Sequence, residues 1–218
     1  MKKEFLFFDL DGTLTDSAPG IVNSARYALS HFGMEPNETV MLKFIGPPLL
    51  ESFQNLCGLD EEKSREAIRL YREYFAVKGM LENSVYDGVY EMLKTLREEG
   101  KVLAVATSKP EVYARKILDH FHLTEYFSCI SGAALDHIRM TKADVLRNAV
   151  RGTRLSDLSQ GLMIGDRKHD VEGGNELGME TLGVLYGYGS HEELMSAGAV
   201  DTAKTPSEVV SKILSFSR

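Results

Sequence analysis

Two carboxylates two residues apart, Asp9 and Asp11, stand directly after the unbroken apolar run Phe5-Leu6-Phe7-Phe8 and directly before Gly12 and Thr13. That order reads as a buried strand, an acidic tip and a turn. Positions i and i+2 of a strand point to the same side, so both acids can face one site if the extended geometry continues through them. Two carboxylates held so close repel each other unless a cation or a shared proton relieves them. The plain alternative is a solvated turn capping a strand, since aspartate and glycine are ordinary turn residues. The rest of the chain decides between the two.

From about residue 85 onward, short apolar runs alternate with helical periods, as in a parallel α/β sheet. Val89, Met92, Leu93 and Leu96 form a helical stripe that stops at Gly100, and the strand Val102 to Ala106 follows at once. A helix starting near Pro110, a strand from Phe127 to Ser131, a helix from Lys142 to Val150 and strands at Gly161–Gly165 and Glu180–Leu185 continue the pattern, with Gly178 ending the helix between the last two. Thr205-Pro206-Ser207-Glu208 predicts a capping box with proline at the first helical position. Residues 17–83 differ: they carry helical stripes such as Ile21, Ala25, Leu29 and Phe32, then Ile68, Tyr71 and Phe75, and lack strand-like runs. Gly46-Pro47-Pro48 divides what would otherwise be one continuous helix. The expected organisation is therefore a core made of residues 1–16 and 84–218 with an all-helical insertion at 17–83.

Composition narrows the function classes. A chain of 218 residues that is 43% hydrophobic can bury a substantial core, and its formal charge of −7, with scattered basic residues, argues against nucleic-acid binding. No segment approaches the length of a membrane span, and the apolar start is too short for a signal peptide, so a cytoplasmic location is expected. Cys57 and Cys129 are far apart and the six histidines form no ligand pair at helical spacing, which argues against zinc. Oligomeric state is not legible at this level.

Ligands of an open parallel sheet bind at the carboxyl ends of its strands, and four such points are polar here. They are Asp9 with Asp11, Thr107-Ser108-Lys109-Pro110, Lys142 at a helix start, and Asp166 with Asp170 after Gly165. Thr107 and Ser108 are good N-cap types before a proline, so they predict a helix start whose free N–H groups suit a phosphate oxygen. A lysine among aspartates supplies a compact fixed cation. Oxygen-only ligands suit Mg²⁺, which takes a few carboxylates together with a substrate phosphate oxygen.

In this order and spacing, Asp9-x-Asp11-Gly12-Thr13, Thr107, Lys142 and Gly165-Asp166-x-x-x-Asp170 resemble the four motifs of the haloacid dehalogenase superfamily. The resemblance covers nearly the whole chain. It implies an α/β fold, a Rossmann-like parallel sheet core with an inserted all-helical cap domain, acting on a small phosphorylated metabolite. It further implies that Asp9 is the nucleophile, that Asp11 is the general acid and base and binds Mg²⁺ through its backbone carbonyl, and that Thr107 and the Ser108 amide hold phosphate oxygens. Lys142 would stabilise phosphate charge and orient Asp9, while Asp166, directly, and Asp170, directly or through water, complete the metal set of Asp9, Asp11, Asp166 and Asp170. The family's dehalogenases lack the second aspartate, so Asp11 disfavours halide displacement.

Within the superfamily, the stretch from Asp9 to Leu29, with Ser17-Ala18-Pro19-Gly20 inside it, is similar to the phosphoglycolate phosphatase branch, which makes phosphoglycolate the leading substrate. Phe44-Ile45-Gly46-Pro47-Pro48-Leu49 and Gly183-Val184-Leu185-Tyr186-Gly187-Tyr188-Gly189 instead resemble branches of 5′-nucleotidases, and the first of these also resembles pyrophosphatases. Gly46 and Pro47 are the expected cap residues facing the leaving group. A non-catalytic phosphate-binding regulatory protein is the alternative from another class; every catalytic position being filled argues against it.

Overall fold

Phe5–Phe8 forms a strand because its side chains can be buried on both faces: Leu6, Phe7 and Phe8 are fully inaccessible, each contributing about 1.5–3 kcal/mol of burial. The computed structural model describes residues 2–135 and 140–216. After this strand, β1 (Phe5–Phe8), come the short β2 (Thr15–Asp16), then α1 (Ala18–Ser30), α2 (Glu38–Leu42), α3 (Leu49–Cys57), α4 (Glu61–Tyr74) with a π-helical turn Phe75–Gly79, and the short β3 (Ser84–Val85). The chain continues through α5 (Val89–Glu98), β4 (Val102–Pro110), α6 (Glu111–His120), β5 (Cys129–Ala133), α7 (Lys142–Thr153), β6 (Gly161–Gly165) and α8 (Lys168–Leu177). It closes with β7 (Glu180–Val184), α9 (His191–Ala197), β8 (Asp201–Ala203) and α10 (Pro206–Ser215).

Two compact units divide the chain: Met1–Thr15 with Val85–Arg218, and Asp16–Ser84. The first holds a parallel six-stranded sheet in the order β5-β4-β1-β6-β7-β8. This is the α/β, Rossmann-like arrangement. Phe7 packs with Ala104, Val145, Leu146 and Met163 in a core cluster against α7. The strand order reverses at β1, which lies between β4 and β6, so the sheet opens a crevice at its carboxyl edge there. Phe8 is level with Val105 on one side and Ile164 on the other. Asp9, Ala106 and Gly165 therefore stand in one row, with Thr107 and Asp166 one residue beyond.

The second unit is helical. Ile21, Ala25 and Leu29 of α1 are buried, as are Ala67, Ile68, Leu70 and Tyr71 of α4. Tyr71 stacks on Phe75 at 5.7 Å between ring centroids. α2 already ends at Leu42, so Gly46-Pro47-Pro48 lies in the turn between two separate helices instead of breaking one, and Gly46 adopts φ 103° there.

Two local expectations need correction. Thr107 and Ser108 do not start a helix: β4 runs on to Pro110, which is itself the N-cap of α6 and caps with no side chain. Continued pairing with β5, together with the extended backbone favoured before proline, outweighs the cap propensity of these residues. Thr205 does accept the Glu208 N–H, but the Glu208 carboxylate takes the Lys204 N–H, so the reciprocal half of the box is missing. Strands β2, β3 and β8 were not legible in the sequence.

Candidate active site

The row of strand ends brings Asp9, Asp11, Thr107, Lys142, Asp166 and Asp170 into one crevice of the first unit. Lys142 is the first residue of α7, whose start is fixed by a reciprocal cap: Asp144 N–H donates to Thr141 Oγ1 at 3.2 Å and Thr141 N–H to Asp144 Oδ2 at 3.1 Å. From there its buried side chain reaches under the sheet edge. Nζ lies 2.9 Å from Asp9 Oδ1 and 2.6 Å from Asp170 Oδ1 as ion pairs and donates to the Ala106 carbonyl oxygen at 2.9 Å. Burial acts to weaken this ammonium, but the Asp170 and Asp9 carboxylates outweigh it and hold Lys142 above its ordinary value.

Asp166, just past β6, is fully buried. Its Oδ1 accepts the Thr13 hydroxyl at 3.2 Å and its Oδ2 the Tyr188 N–H at 2.9 Å. Burial, and then the neighbouring Asp170 and Asp9, push this carboxyl well above its usual range. Burial likewise pushes Asp170 up to about 6, against the pull of Lys142. Gly12 permits this crowding: it adopts φ 82°, and a Cβ there would stand 2.2 Å from Asp166 Oδ2.

Asp11 stands apart from the other acids. Its Oδ2 is 2.8 Å from Lys109 Nζ, a buried cation that the sequence reading had left as part of a polar strand end. Thr107 is buried, and its hydroxyl accepts the Lys109 N–H at 3.2 Å; Ser108 between them is exposed. Gly187 is the second residue that sequence reading missed as part of the site, although its motif was visible. A Cβ on it would meet the Gly12 carbonyl oxygen at 2.1 Å and Asp166 Cβ at 2.5 Å. Gly46 and Pro47 belong to the other, helical unit.

Asp9, Asp166 and Asp170 each bring a carboxylate oxygen within 4.8 Å of the others, a group that can hold a metal ion. The donor set fits Mg²⁺, being all oxygen. The sign of the charge fits as well: the acids of the crevice outnumber the two lysines paired with them, and a divalent cation would favour their ionised forms. An acidic cluster of this kind, beside a buried lysine at the switch point of a doubly wound sheet, is suited to holding a divalent cation next to an anionic ligand.

The family model of the haloacid dehalogenase-like hydrolases matches residues 6–184, and the chain belongs to that family. It is a hydrolase of the phosphatase class. A 5′-nucleotidase of Pseudomonas aeruginosa is 45% identical over 87% of this chain and 86% of its own length. The tyrosine-protein kinase PtkA of Mycobacterium tuberculosis is also 45% identical, over 85% of this chain but only 63% of the kinase. The crystal structure of a predicted phosphatase from Clostridium acetobutylicum superposes with a TM-score of 0.94 at 44% identity, covering 99% of this chain and 100% of that one. No helix among the described residues is long and apolar enough to cross a membrane.

Proposed function

We propose that this chain is a Mg²⁺-dependent phosphatase that hydrolyses a small phosphomonoester through an aspartyl phosphate on Asp9. The observation that carries this reading is the shared grip of Lys142 on Asp9 and Asp170 at the sheet's switch point, next to the buried Asp166. Lys142 and the Leu10 N–H both hold Asp9 Oδ1, so Oδ2 is the oxygen proposed to attack phosphorus. Asp11 protonates the departing oxygen and later takes a proton from the water that cleaves the phosphoenzyme. Thr107 and the Ser108 amide bind phosphate oxygens. Asp9, Asp166 and Asp170 would hold Mg²⁺ with the Asp11 backbone carbonyl; when bound, the ion supplies positive charge that offsets the approach of two anions.

Among substrates, nucleoside monophosphates rank ahead of phosphoglycolate, because the relative that is 45% identical over most of both chains is a 5′-nucleotidase. Gly46 and Pro47 of the helical unit are proposed to face the leaving group. The test is phosphate release from a panel of nucleoside monophosphates, phosphoglycolate, pyrophosphate and sugar phosphates, with and without Mg²⁺, compared by kcat/KM. Metal-dependent release that disappears in Asp9→Asn is expected. Undiminished turnover in that variant, or phosphotyrosine formation from ATP in place of phosphate release, would overturn the reading.

A further inference from the structure

We infer that Gly132 is a positioning residue: it holds both flanks of Ser108 and so sets where the Ser108 amide meets a phosphate oxygen. The inference rests on the phosphatase reading above and adds to it a residue of β5, outside the segments that carry the acids.

The ladder between β4 and β5 shows how this comes about. The two strands run level from Ala104 opposite Cys129 to Thr107 opposite Gly132, and the next pairing is Pro110 with Ala133. A single step along β5 thus faces three along β4, and Ser108 and Lys109 are the extra residues of a bulge. Ser108 is its exposed apex, between the buried Thr107 and Lys109. The Lys109 N–H donates to the Thr107 hydroxyl oxygen at 3.2 Å, a local bond that closes the bulge over Ser108.

Gly132 touches the bulge on both sides of that apex. It stands opposite Thr107 in the ladder, and a Cβ on it would be 2.7 Å from the Lys109 carbonyl oxygen. The same Cβ would be 2.6 Å from Glu111 Cα and 2.7 Å from Glu111 N, at the first residue of α6. All three obstacles are backbone atoms, and ordinary contact begins near 3.4 Å, so a side chain here displaces the end of β4 by about 0.7 Å. Gly132 does not adopt a positive φ, so what it supplies is space. Glu111 secures the same junction: its Oε2 accepts the Gly132 N–H at 3.2 Å and its Oε1 the Arg115 Nε–H at 2.9 Å, while Arg115 Nη2 donates to the Ile130 carbonyl at 3.1 Å. The first turn of α6 is thereby strapped to β5 at two points, just beyond the bulge.

The metal-binding acids are not part of this junction. Asp9 and Asp166 follow β1 and β6, and β4 separates β5 from β1, which puts β5 two strand spacings, about 9.5 Å, away. A change at Gly132 should therefore weaken the grip on phosphate and spare the metal.

The experiment reads those two affinities side by side. Inhibition of para-nitrophenyl phosphate hydrolysis by inorganic phosphate gives its Ki, and Mg²⁺ titration by thermal shift in phosphate-free buffer gives the metal affinity. In Gly132→Ala, the phosphate Ki and the ester KM are expected to rise at least about tenfold, since a displacement near 1 Å can cost about 100-fold. Mg²⁺ affinity should change less than about twofold, as for sites that share no partner. An unchanged Ki, or phosphate and Mg²⁺ weakened equally, would overturn the inference. If Gly132→Ala does not fold, Glu111→Ala is read in the same way. Its phosphate Ki should rise about threefold, the worth of one lost hydrogen bond, and Glu111→Gln, which still accepts the Gly132 N–H, should recover most of this. A wild-type Ki in Glu111→Ala would then count against the inference. Wild-type protein that does not hydrolyse the ester would instead sink the phosphatase reading, so the two failures are distinguishable.

Discussion

The Cα of Gly187 packs so closely on the Gly12 carbonyl that a Cβ at Gly187 would stand 2.1 Å from that oxygen. The loop after β7 is thereby pressed onto the turn that follows Asp9 and Asp11, and the next residue, Tyr188, donates its N–H to Asp166. Gly187→Ala must push one of these segments away, because its nearest obstacle is backbone. We expect kcat to fall at least about tenfold and Mg²⁺ to bind more weakly, with the fold retained, since displacements near 1 Å can cost about 100-fold in rate. Mg²⁺ titration followed by thermal shift, run alongside the assay, checks this. Unchanged kcat and Mg²⁺ affinity would show that the contact relaxes without consequence.

Lys142 joins two acids that otherwise face each other in a buried site. Replacing it by methionine leaves Asp9 and Asp170 uncompensated, and breaking a buried pair in this way typically costs about 3–5 kcal/mol. Lys142→Met should therefore be strongly destabilised in chelator, less so in Mg²⁺, and inactive in both. Urea unfolding with and without metal measures the difference. Equal destabilisation in the two conditions would mean that the cation and the lysine do not share a charge environment.

Metal binding should itself stabilise the protein, because the three acids that can hold the ion converge only in the folded chain. At 100 times the dissociation constant the gain is about 2.7 kcal/mol. Asp166→Asn should abolish most of this gain. A melting temperature that does not respond to Mg²⁺ in the wild type would remove the metal from the proposal.

Some of this architecture can be read from residues alone, and some cannot. Phe5–Phe8 and Gly161–Gly165 were legible as buried strands because each is an unbroken apolar run ended by polar residues. The acids at their ends inherit that legibility: once both strands lie in one parallel sheet, Asp9 and Asp166 must be neighbours. β8 gave no signal because it is three residues long, and Asp201 and Thr202 are only half-buried. The end of β4 misled because Thr107-Ser108-Lys109-Pro110 satisfies the local rules for a helix start, while the ladder with β5 that overrides them is a tertiary effect. Lys109 and Gly187 escaped for the same reason: a lysine's partner and a glycine's obstacle lie elsewhere in the chain, and only register and loop path reveal them.

The cap on α7 offers a pH-dependent test of how Lys142 is held in place. The Thr141 N–H donates to Asp144, and together with the Thr141 hydroxyl and Arg147 it keeps this carboxyl below its ordinary value. A lowered folded value means that the stabilisation is fully present above the unfolded value of about 3.9 and is lost as pH falls through the folded one. Asp144→Ala should therefore melt lower than wild type at pH 7, and the gap should close as pH drops below about 3.9. Thr141→Ala, which removes the hydroxyl acceptor, should cost about 1 kcal/mol. Because Lys142 is the next residue, fraying of this turn loosens the ammonium that holds Asp9, so both variants should also lose kcat at pH 7 while KM changes less. A melting gap that stays constant from pH 7 to pH 3 would assign the Asp144 effect to helix propensity instead of to its charged cap.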